Sequence, residues 1–297
     1  MHELFRHKLN FAELLPSEQV VVTWNITRGN EMVLLTVPEE DWNRPLERGG
    51  PFSRTRPEKP YDGTLWRLTD QGVVYSLGIP CALGFHIQGL PDGRFLLVRA
   101  RCREVDELNA EVIGFAGEVE SRFKVGDAVE DVQIGGDDSV WISYFDQGTF
   151  YNEAWKETWT GLAEFNLAGD LKYRYPDGIC DCYSLNVGKA DVFACYHSDF
   201  PVLKLSLKDR AETLWKNDFR RGCRALAVWG DTALLAGGYG AEFAMASLVS
   251  LGREETSLLQ EFSLERPQEF RLLTGRGPIL HYVNLKDWWT LDIRELI

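Results

Sequence analysis

A hairpin that recurs along the chain constrains the fold more than any other feature of the sequence. The clearest copy covers residues 128–145, where two runs of β-branched and aromatic residues flank the turn Gly135-Gly136-Asp137-Asp138. Gly and Asp accept the backbone angles of tight turns, so this stretch predicts two antiparallel strands. Similar turns lie near residues 29, 93, 188, 231 and 276; from residue 93 onward the steps are 44, 51, 43 and 45 residues, and the step of 64 from 29 to 93 implies an insertion. Such a period indicates a repeat protein.

A second hairpin follows each of the first ones, so the repeated unit has four strands. The sixth unit ends after its third strand, and the apolar N-terminal stretch 3–11 is the natural source of the fourth. Six such units of about 40–50 residues are typical of an all-β, six-bladed β-propeller, which we predict as one domain over 1–297. A β-sandwich, or two unrelated β domains, is the alternative. The predicted blades are 18–78, 85–126, 129–176, 180–217, 223–265, and 268–296 together with 3–11.

Charge and cysteine content limit the partner and the compartment. The net charge of −13, from 45 acidic and 32 basic residues, disfavours nucleic acid and favours a basic protein partner, for example a toxin held by an inhibitor or immunity protein. No apolar run has the length of a signal peptide or a membrane span. The 6 cysteines are therefore expected to be free thiols. We expect a cytoplasmic monomer with no membrane partner and no required cofactor.

Three insertions are expected on one side of the propeller, in loops that join the second and third strands of a blade or lie beside them. They cover 41–63, which is rich in arginine over 44–59, then 146–160 and 237–246. Long loops on a rigid scaffold often carry function. The second insertion contains Tyr151, Trp155 and Trp159, which could bind a partner or pack as a lid on their own blade. The first insertion could equally be a mobile linker.

Polar residues at the starts of first strands and the ends of second strands should surround the mouth of the central channel on that side. They could hold a divalent metal or a polar ligand, or only satisfy the loop backbone. The nominated residues are His86, Glu130, Asp131, Tyr144, Asp146, Asp181, His197, Asp199, Arg224 and Tyr239. Beside them Arg220, Arg221 and Arg224 form a basic island, which could meet an anionic ligand or balance acidic neighbours.

A cysteine and histidine pattern gives a second possible metal site. If Gly188-Lys189 is a two-residue turn, Cys182 faces Cys195 and Cys180 faces His197 on one side of a hairpin. Three thiolates and one imidazole suit Zn²⁺. Buried structural thiols are the alternative, and a slip of one residue in the turn would abolish the pattern.

The stretch Asp131-Val-Gln-Ile-Gly-Gly-Asp-Asp-Ser-Val-Trp-Ile-Ser-Tyr-Phe145 resembles the propeller repeats of the NHL-like and gluconolactonase-like superfamily. That resemblance implies a six-bladed propeller and, for the lactonase branch, a catalytic divalent metal held in the channel, with Glu130 or Asp131 as the matching acid. Two function hypotheses follow. The first is a binding protein that presents its loop-decorated face to a protein or a polar small molecule. The second is a metal-dependent, lactonase-like hydrolase, in which Asp131 or Glu130, with Asp181, Asp199 and His197, would be metal ligands or bases. A purely structural repeat protein is a third possibility.

Overall fold

The structure is a computed structural model of the 297-residue chain, and it describes residues 4–42, 54, 59–82, 84–149, 155–264 and 272–297. The chain forms six four-stranded antiparallel sheets, the blades of an all-β, six-bladed propeller, as the repeat predicts. Within the described residues, no helix is both long enough and apolar enough to cross a membrane.

Blades 1 to 3 form one compact unit, Phe11–Gly178. Blade 1 contains β2 (Gln19–Ile26), β3 (Met32–Pro38), β4 (Tyr61–Thr69) and β5 (Gly72–Cys81), with the short helix α1 (Glu39–Trp42) after β3. Blade 2 contains β6 (Phe85–Gly89), β7 (Phe95–Arg99), β8 (Ala110–Ile113) and β9 (Val119–Phe123). Blade 3 contains β10 (Val129–Ile134), β11 (Val140–Tyr144), β12 (Leu162–Phe165) and β13 (Leu171–Arg174), with α2 (Asp146–Thr149) after β11.

Blades 4 to 6 form a second compact unit, Met1–Asn10 with Ile179–Ile297. Blade 4 contains β14 (Asp181–Val187), β15 (Asp191–His197), β16 (Val202–Ser206) and β17 (Glu212–Trp215). Blade 5 contains β18 (Ala225–Trp229), β19 (Thr232–Ala236), β20 (Met245–Leu251) and β21 (Thr256–Ser263). Blade 6 contains β22 (Leu272–Arg276), β23 (Ile279–Val283), β24 (Asp287–Asp292) and the N-terminal strand β1 (Arg6–Asn10), which pairs with β24 as predicted.

Burial changes from strand to strand within a blade. All residues of β11 are buried, whereas only Phe123 of β9 and only Trp215 of β17 are buried in those fourth strands. A strand that is covered on both faces needs apolar side chains at consecutive positions, because these point to opposite faces of the sheet. Val140-Trp141-Ile142 supplies them. The fourth strands lie at the edges of their blades and leave most of their side chains exposed or partly exposed.

Asn186 ties the three blades of the second unit together. Its side chain is 1% exposed, and its Nδ2 donates to the carbonyl oxygens of Leu226 at 2.8 Å and Gly277 at 2.9 Å. Its Oδ1 accepts a hydrogen bond from the Gly277 amide at 2.8 Å. One buried amide therefore satisfies backbone groups of blades 5 and 6 from a position in blade 4.

His281 in β23 makes the stability of the second unit depend on pH. The ring is fully buried, and its Nδ1 accepts a hydrogen bond from Nε1 of Trp288 at 3.1 Å. Burial, followed by the charges of Arg276 and Lys8, lowers the pKa of His281 from 6.5 to about 3. The folded protein therefore keeps this ring neutral at a pH where the unfolded chain protonates it.

We predict that this neutral ring stabilises the folded state fully above pH 6.5, and that its contribution is lost as the pH falls from 6.5 towards 3. Within that window, each pH unit of acidification should lower the free energy of unfolding by up to about 1.4 kcal/mol through His281. The free energy of unfolding of His281→Gln, which keeps an acceptor, should fall less steeply between about pH 6 and about pH 4 than that of the wild type. The half-exposed His7 provides the control variant His7→Gln. Equal slopes for wild type and His281→Gln would contradict the prediction.

Candidate functional site

The nominated residues of the second unit meet at one end of blades 4 and 5. Asp181 is the first residue of β14 and lies directly opposite His197, the last residue of β15. Asp199 and Arg224 are exposed residues of the adjoining loops, and Tyr239 follows β19. These residues therefore lie together at strand ends and in the adjoining loops, and their functional role stays a prediction.

Two further aromatic residues, Tyr183 and Phe200, complete the group and were not among the nominated residues. We call Tyr183, Phe200 and Tyr239, with Asp181 and His197, the tyrosine cluster. The ladder between β14 and β15 shifts by one residue between Cys182 and Ser184, so Tyr183 lies in a bulge. The hydroxyl of Tyr183 is hydrogen-bonded to that of Tyr239. Burial, then the hydrogen bond with Tyr239 and the nearby Asp181 carboxylate, raises the pKa of Tyr183, so its hydroxyl stays protonated.

The aromatic rings of the tyrosine cluster contact one another, and these contacts restrict the rotation of each ring. Tyr183 and Phe200 are stacked, with ring centroids 6.3 Å apart and an interplanar angle of 15°. Tyr239 stands across both, with centroids 5.9 Å from each and angles of 88° to Tyr183 and 81° to Phe200. His197 packs edge-on against Phe200 at 5.1 Å. Edge-to-face and offset contacts of this kind are the favoured geometries of aromatic pairs.

Tyr239 packs with one face of its ring against Gly222 and remains half exposed. Its ring lies over Gly222, where an added Cβ would stand 2.9 Å from Cζ of the tyrosine. Gly222 also has a positive φ of +66°, which a side chain would strain. The ring is 49% exposed, so a rigid aromatic surface faces solvent. Rigid tyrosines with a wet hydroxyl end are well suited to binding.

The three arginines of the basic island divide into one structural and two exposed residues. Arg220 is 4% exposed and forms an ion pair with Glu261 at 2.7 Å, so it does not present its charge to a ligand. Arg221 and Arg224 are exposed, and the Arg224 guanidinium lies over the ring of Phe243 at 5.4 Å. Only the pair Arg221 and Arg224 therefore adds positive charge beside Tyr239.

In the first unit His86 and Asp131 are hydrogen-bonded to residues of β10. Nε2 of His86 lies 3.2 Å from the carbonyl oxygen of Val129, and burial lowers the pKa of His86 despite the nearby Asp131. Asp131 accepts hydrogen bonds from the Val132 amide at 2.7 Å and from Nε2 of Gln133 at 3.1 Å. Glu130, like Asp131, is partly buried. His86 and Asp131 therefore support strand β10. A catalytic role for Asp131, Glu130 or His197 stays a prediction.

The aromatic candidates of blade 3 differ sharply in exposure. Tyr144 is fully buried and its hydroxyl donates to the carbonyl oxygen of Val125, so its interpretation as a binding residue is wrong. Trp155 is 2% exposed beneath the ammonium group of Lys124, which lies between β9 and β10 and 5.0 Å from the ring centroid, so it offers almost no surface to a partner. Trp159 is 61% exposed and Asp146 is exposed. Tyr151 lies outside the described residues, as does most of the loop 44–59.

A buried charge cluster in the first unit was missed by the sequence analysis. Asp127 is fully buried and accepts hydrogen bonds from Arg101 Nε at 3.1 Å, from Arg54 at 2.7 Å and from the Cys102 amide at 2.7 Å. Arg101 also donates to Oε1 of Gln147 at 2.5 Å. The carboxylate thus joins Arg54 of the first insertion to the connection between β9 and β10. No motif marks this site, because its members are far apart in sequence.

The predicted register of the cysteine hairpin is wrong. Val187 pairs with Val192, and the Gly188 amide donates to the Asp191 carbonyl, so the turn is two residues longer than predicted. The bulge at Tyr183 then shifts the ladder again. Cys195 consequently lies opposite Ser184 and Cys182 opposite Tyr196, while Cys180 is not in the ladder.

The cysteines of this region are buried free thiols. Cys182, Cys195 and Cys223 are at most 2% exposed, and Cys180 is half-buried. A hydrogen bond with Cys223, followed by burial, raises the pKa of Cys195, so that thiol stays protonated. Within the part of the chain that the structure describes, no three His, Cys, Asp or Glu side chains are grouped so that they could hold a metal ion. Metal binding by Asp131, Asp181 and Asp199, or by the cysteine set, stays a prediction.

An open cavity of about 410 Å³ lies on blade 2 of the first unit. Its walls include Phe85, Arg99 and the exposed Leu108, together with several carboxylates. The Arg99 guanidinium covers the Phe85 ring at 4.4 Å, and Glu111 pairs with Arg122 at 2.9 Å. This acidic cavity differs in charge from the arginine-bearing end of blades 4 and 5.

Comparison with known proteins gives one family match and several structural matches. The YxzG family model matches residues 165–283, a range that contains the whole tyrosine cluster together with Arg221 and Arg224. A chain of a mitotic checkpoint complex is similar in structure, with a TM-score of 0.56 at 6% identity over 94% of this chain and 79% of that one. KlHsv2 with its loop 6CD replaced by a Gly-Ser linker is similar with a TM-score of 0.50 at 11% identity, over 90% of this chain and 75% of that one. No curated protein matches the chain.

At these identities the structural likeness shows the propeller fold alone. It supports the architecture that the sequence resemblance implied, and it gives no support for membership of the NHL-like or gluconolactonase-like superfamily.

Proposed function

We propose that this protein is a binding protein that holds a protein partner on the tyrosine cluster of blades 4 and 5. The observation that carries the proposal is Tyr239, an aromatic ring that is half exposed yet fixed by Gly222, Tyr183 and Phe200. A side chain that is already immobile loses little entropy on binding, so its buried area is converted to affinity efficiently. Tyr and Arg are also the residue types enriched among interface hot spots.

Two further facts support the proposal. The cluster lies within the range matched by the YxzG family model. The net charge of −13 favours encounter with a basic protein, because long-range attraction depends on the total charge rather than on the contact residues. The free thiols suit the cytoplasmic setting that the proposal assumes.

The test uses a library that displays fragments of the source genome, selected against the purified protein. For the strongest selected fragment we expect Tyr239→Ala to raise Kd at least about tenfold, equivalent to about 1.4 kcal/mol. Phe115, which is 64% exposed on blade 2, supplies the matched aromatic control, and Phe115→Ala should leave Kd unchanged. Calorimetric titration measures each Kd, and circular dichroism confirms that the variants fold. Equal Kd values for the wild type and Tyr239→Ala would refute the proposal.

A second variant separates the position of the ring from its presence. Gly222→Ala keeps every side chain of the cluster but drives a methyl group into the Tyr239 ring, so it should weaken binding in the same direction. Gly230→Ala is its control, since Gly230 has a similar φ of +56° but no atom within 4 Å of the added Cβ. Both variants carry the same backbone strain, and only the first should change Kd.

A further inference from the structure

The end of blade 5 carries positive charge that the described protein does not use. Within the described residues, neither Arg221 nor Arg224 makes a hydrogen bond or an ion pair through its guanidinium, and Arg224 only stacks on Phe243. Most other described arginines pair with carboxylates, as Arg67 does with Glu31 and Arg94 with Asp92. In a chain with 45 acidic and 32 basic residues, two adjacent exposed arginines without an acid need an explanation.

The backbone places this charge directly beside the exposed tyrosine. Gly222, which the Tyr239 ring covers, lies between Arg221 and Arg224 in the sequence. The methylene groups of Arg224 pack against Gly237, two residues before Tyr239, where an added Cβ would lie 3.1 Å from Cβ of the arginine. The Arg221 carbonyl oxygen likewise lies 3.1 Å from where a Cβ of Gly238 would be, so the backbone that carries both arginines adjoins the segment that carries Tyr239. We call Tyr239, Arg221 and Arg224 together the patch.

The nearest acids do not neutralise the patch. Glu242 lies against Gly238, with one carboxylate oxygen buried, and pairs with neither arginine. Asp181 is occupied by Tyr183 within the tyrosine cluster. Asp199 is exposed beside Phe200 and would repel an anion there. A bound segment should therefore direct its acidic groups towards Arg221 and Arg224 and a neutral or apolar group towards Phe200.

We infer that this patch recognises a short acidic peptide segment of the protein partner, with Asp or Glu carboxylates on Arg221 and Arg224 and an apolar or aromatic side chain on Tyr239. Guanidinium groups bind carboxylates through paired, charge-assisted hydrogen bonds, and tyrosine supplies the apolar contact. The inference rests on the proposed function and adds the chemistry of the ligand. It also separates local recognition from the acidic total charge, which acts at longer range and is screened by salt.

The test is selection of a phage-displayed library of random 12-residue peptides against the intact protein. Enriched peptides should contain more Asp and Glu than the unselected library, together with an aromatic or aliphatic residue. Their Kd should rise at least about tenfold for Arg221→Glu/Arg224→Glu, because attraction becomes repulsion. Arg253→Glu, which reverses an exposed arginine in the turn between β20 and β21 of the same blade, should leave Kd unchanged.

Several outcomes would overturn the inference. They are enrichment of basic or neutral peptides, equal binding by the double charge-reversal variant, or no enrichment at all. Basic peptides that bind the acidic cavity of blade 2 would be recognised by their loss with Glu104→Lys/Asp106→Lys. The proposed function would survive each of these results as long as genome fragments still lose affinity with Tyr239→Ala. It would fail separately if those fragments bound Tyr239→Ala and wild type alike.

Discussion

Replacing Gly275 by alanine should destabilise the protein by more than about 3 kcal/mol, because a Cβ at this position has no space. It would overlap the carbonyl oxygen of Leu226 and stand 2.6 Å from the carbonyl carbon. The same oxygen accepts the Asn186 hydrogen bond that links blades 4 and 5. Moving β18 away to admit a methyl group would therefore break a buried polar contact as well as the packing.

Gly277, two residues along, is the control for this prediction. It has a positive φ of +54° and no atom within 4 Å of an added Cβ, so Gly277→Ala should cost only the backbone strain of about 1–2 kcal/mol. Urea unfolding followed by tryptophan fluorescence measures both variants. If Gly275→Ala were no less stable than Gly277→Ala, the close approach of β22 to β18 would be wrong.

Asp127→Ala should also cause a large loss, of about 3–5 kcal/mol, since it leaves Arg101 buried without its carboxylate. Arg101 is 7% exposed, and its hydrogen bond to Oε1 of Gln147 does not replace the lost negative charge. The Cys102 amide would lose its acceptor too. Removing both charges, as in Asp127→Leu/Arg101→Leu, should cost less than removing the acid alone, because the buried arginine is removed with it and Arg54 is half exposed to solvent.

The control for Asp127 is a pair on the protein surface. Glu111 contacts Arg122 at 2.9 Å, and the arginine side chain is 55% exposed, so Glu111→Gln should change the free energy of unfolding by less than about 1 kcal/mol. Denaturation at low and high salt adds a second comparison. The Asp127 effect should persist at high salt, because burial limits screening. A loss at Asp127 as small as that at Glu111 would argue against the buried cluster.

The fold could be predicted because its signal is repeated. Each blade presents the same order of apolar strands and Gly, Asp or Asn turns, so errors at single strands average out over the period. Apart from β1, the strands of the six blades follow one another along the chain, and β4 and β5 of blade 1 are the longest of them. The closure of blade 6 by β1 followed from one physical requirement, that an open strand edge needs a partner.

The site could be predicted only in part, because its details depend on irregularities. The order of the strands placed Asp181 and His197 at strand ends and Tyr239 just after one, where the structure has them. Tyr183 was missed because a bulge interrupts the alternation on which side-chain direction is predicted. Phe200 follows Asp199, and both residues have a positive φ. The sequence does not predict this conformation, because non-glycine residues seldom adopt it. The sequence left open whether Trp155 binds a partner or packs against the protein, and the contact with Lys124 buries it.

Hydrogen exchange of the protein, alone and with the strongest selected genome fragment, tests the central claim most directly. The account predicts that protection by the fragment concentrates in 181–183, 197–200, 221–224 and 237–243, the segments that carry the tyrosine cluster and the two arginines. Protection elsewhere, for example at the cavity lined by residues 103–111 of blade 2, with none in these four segments, would contradict it.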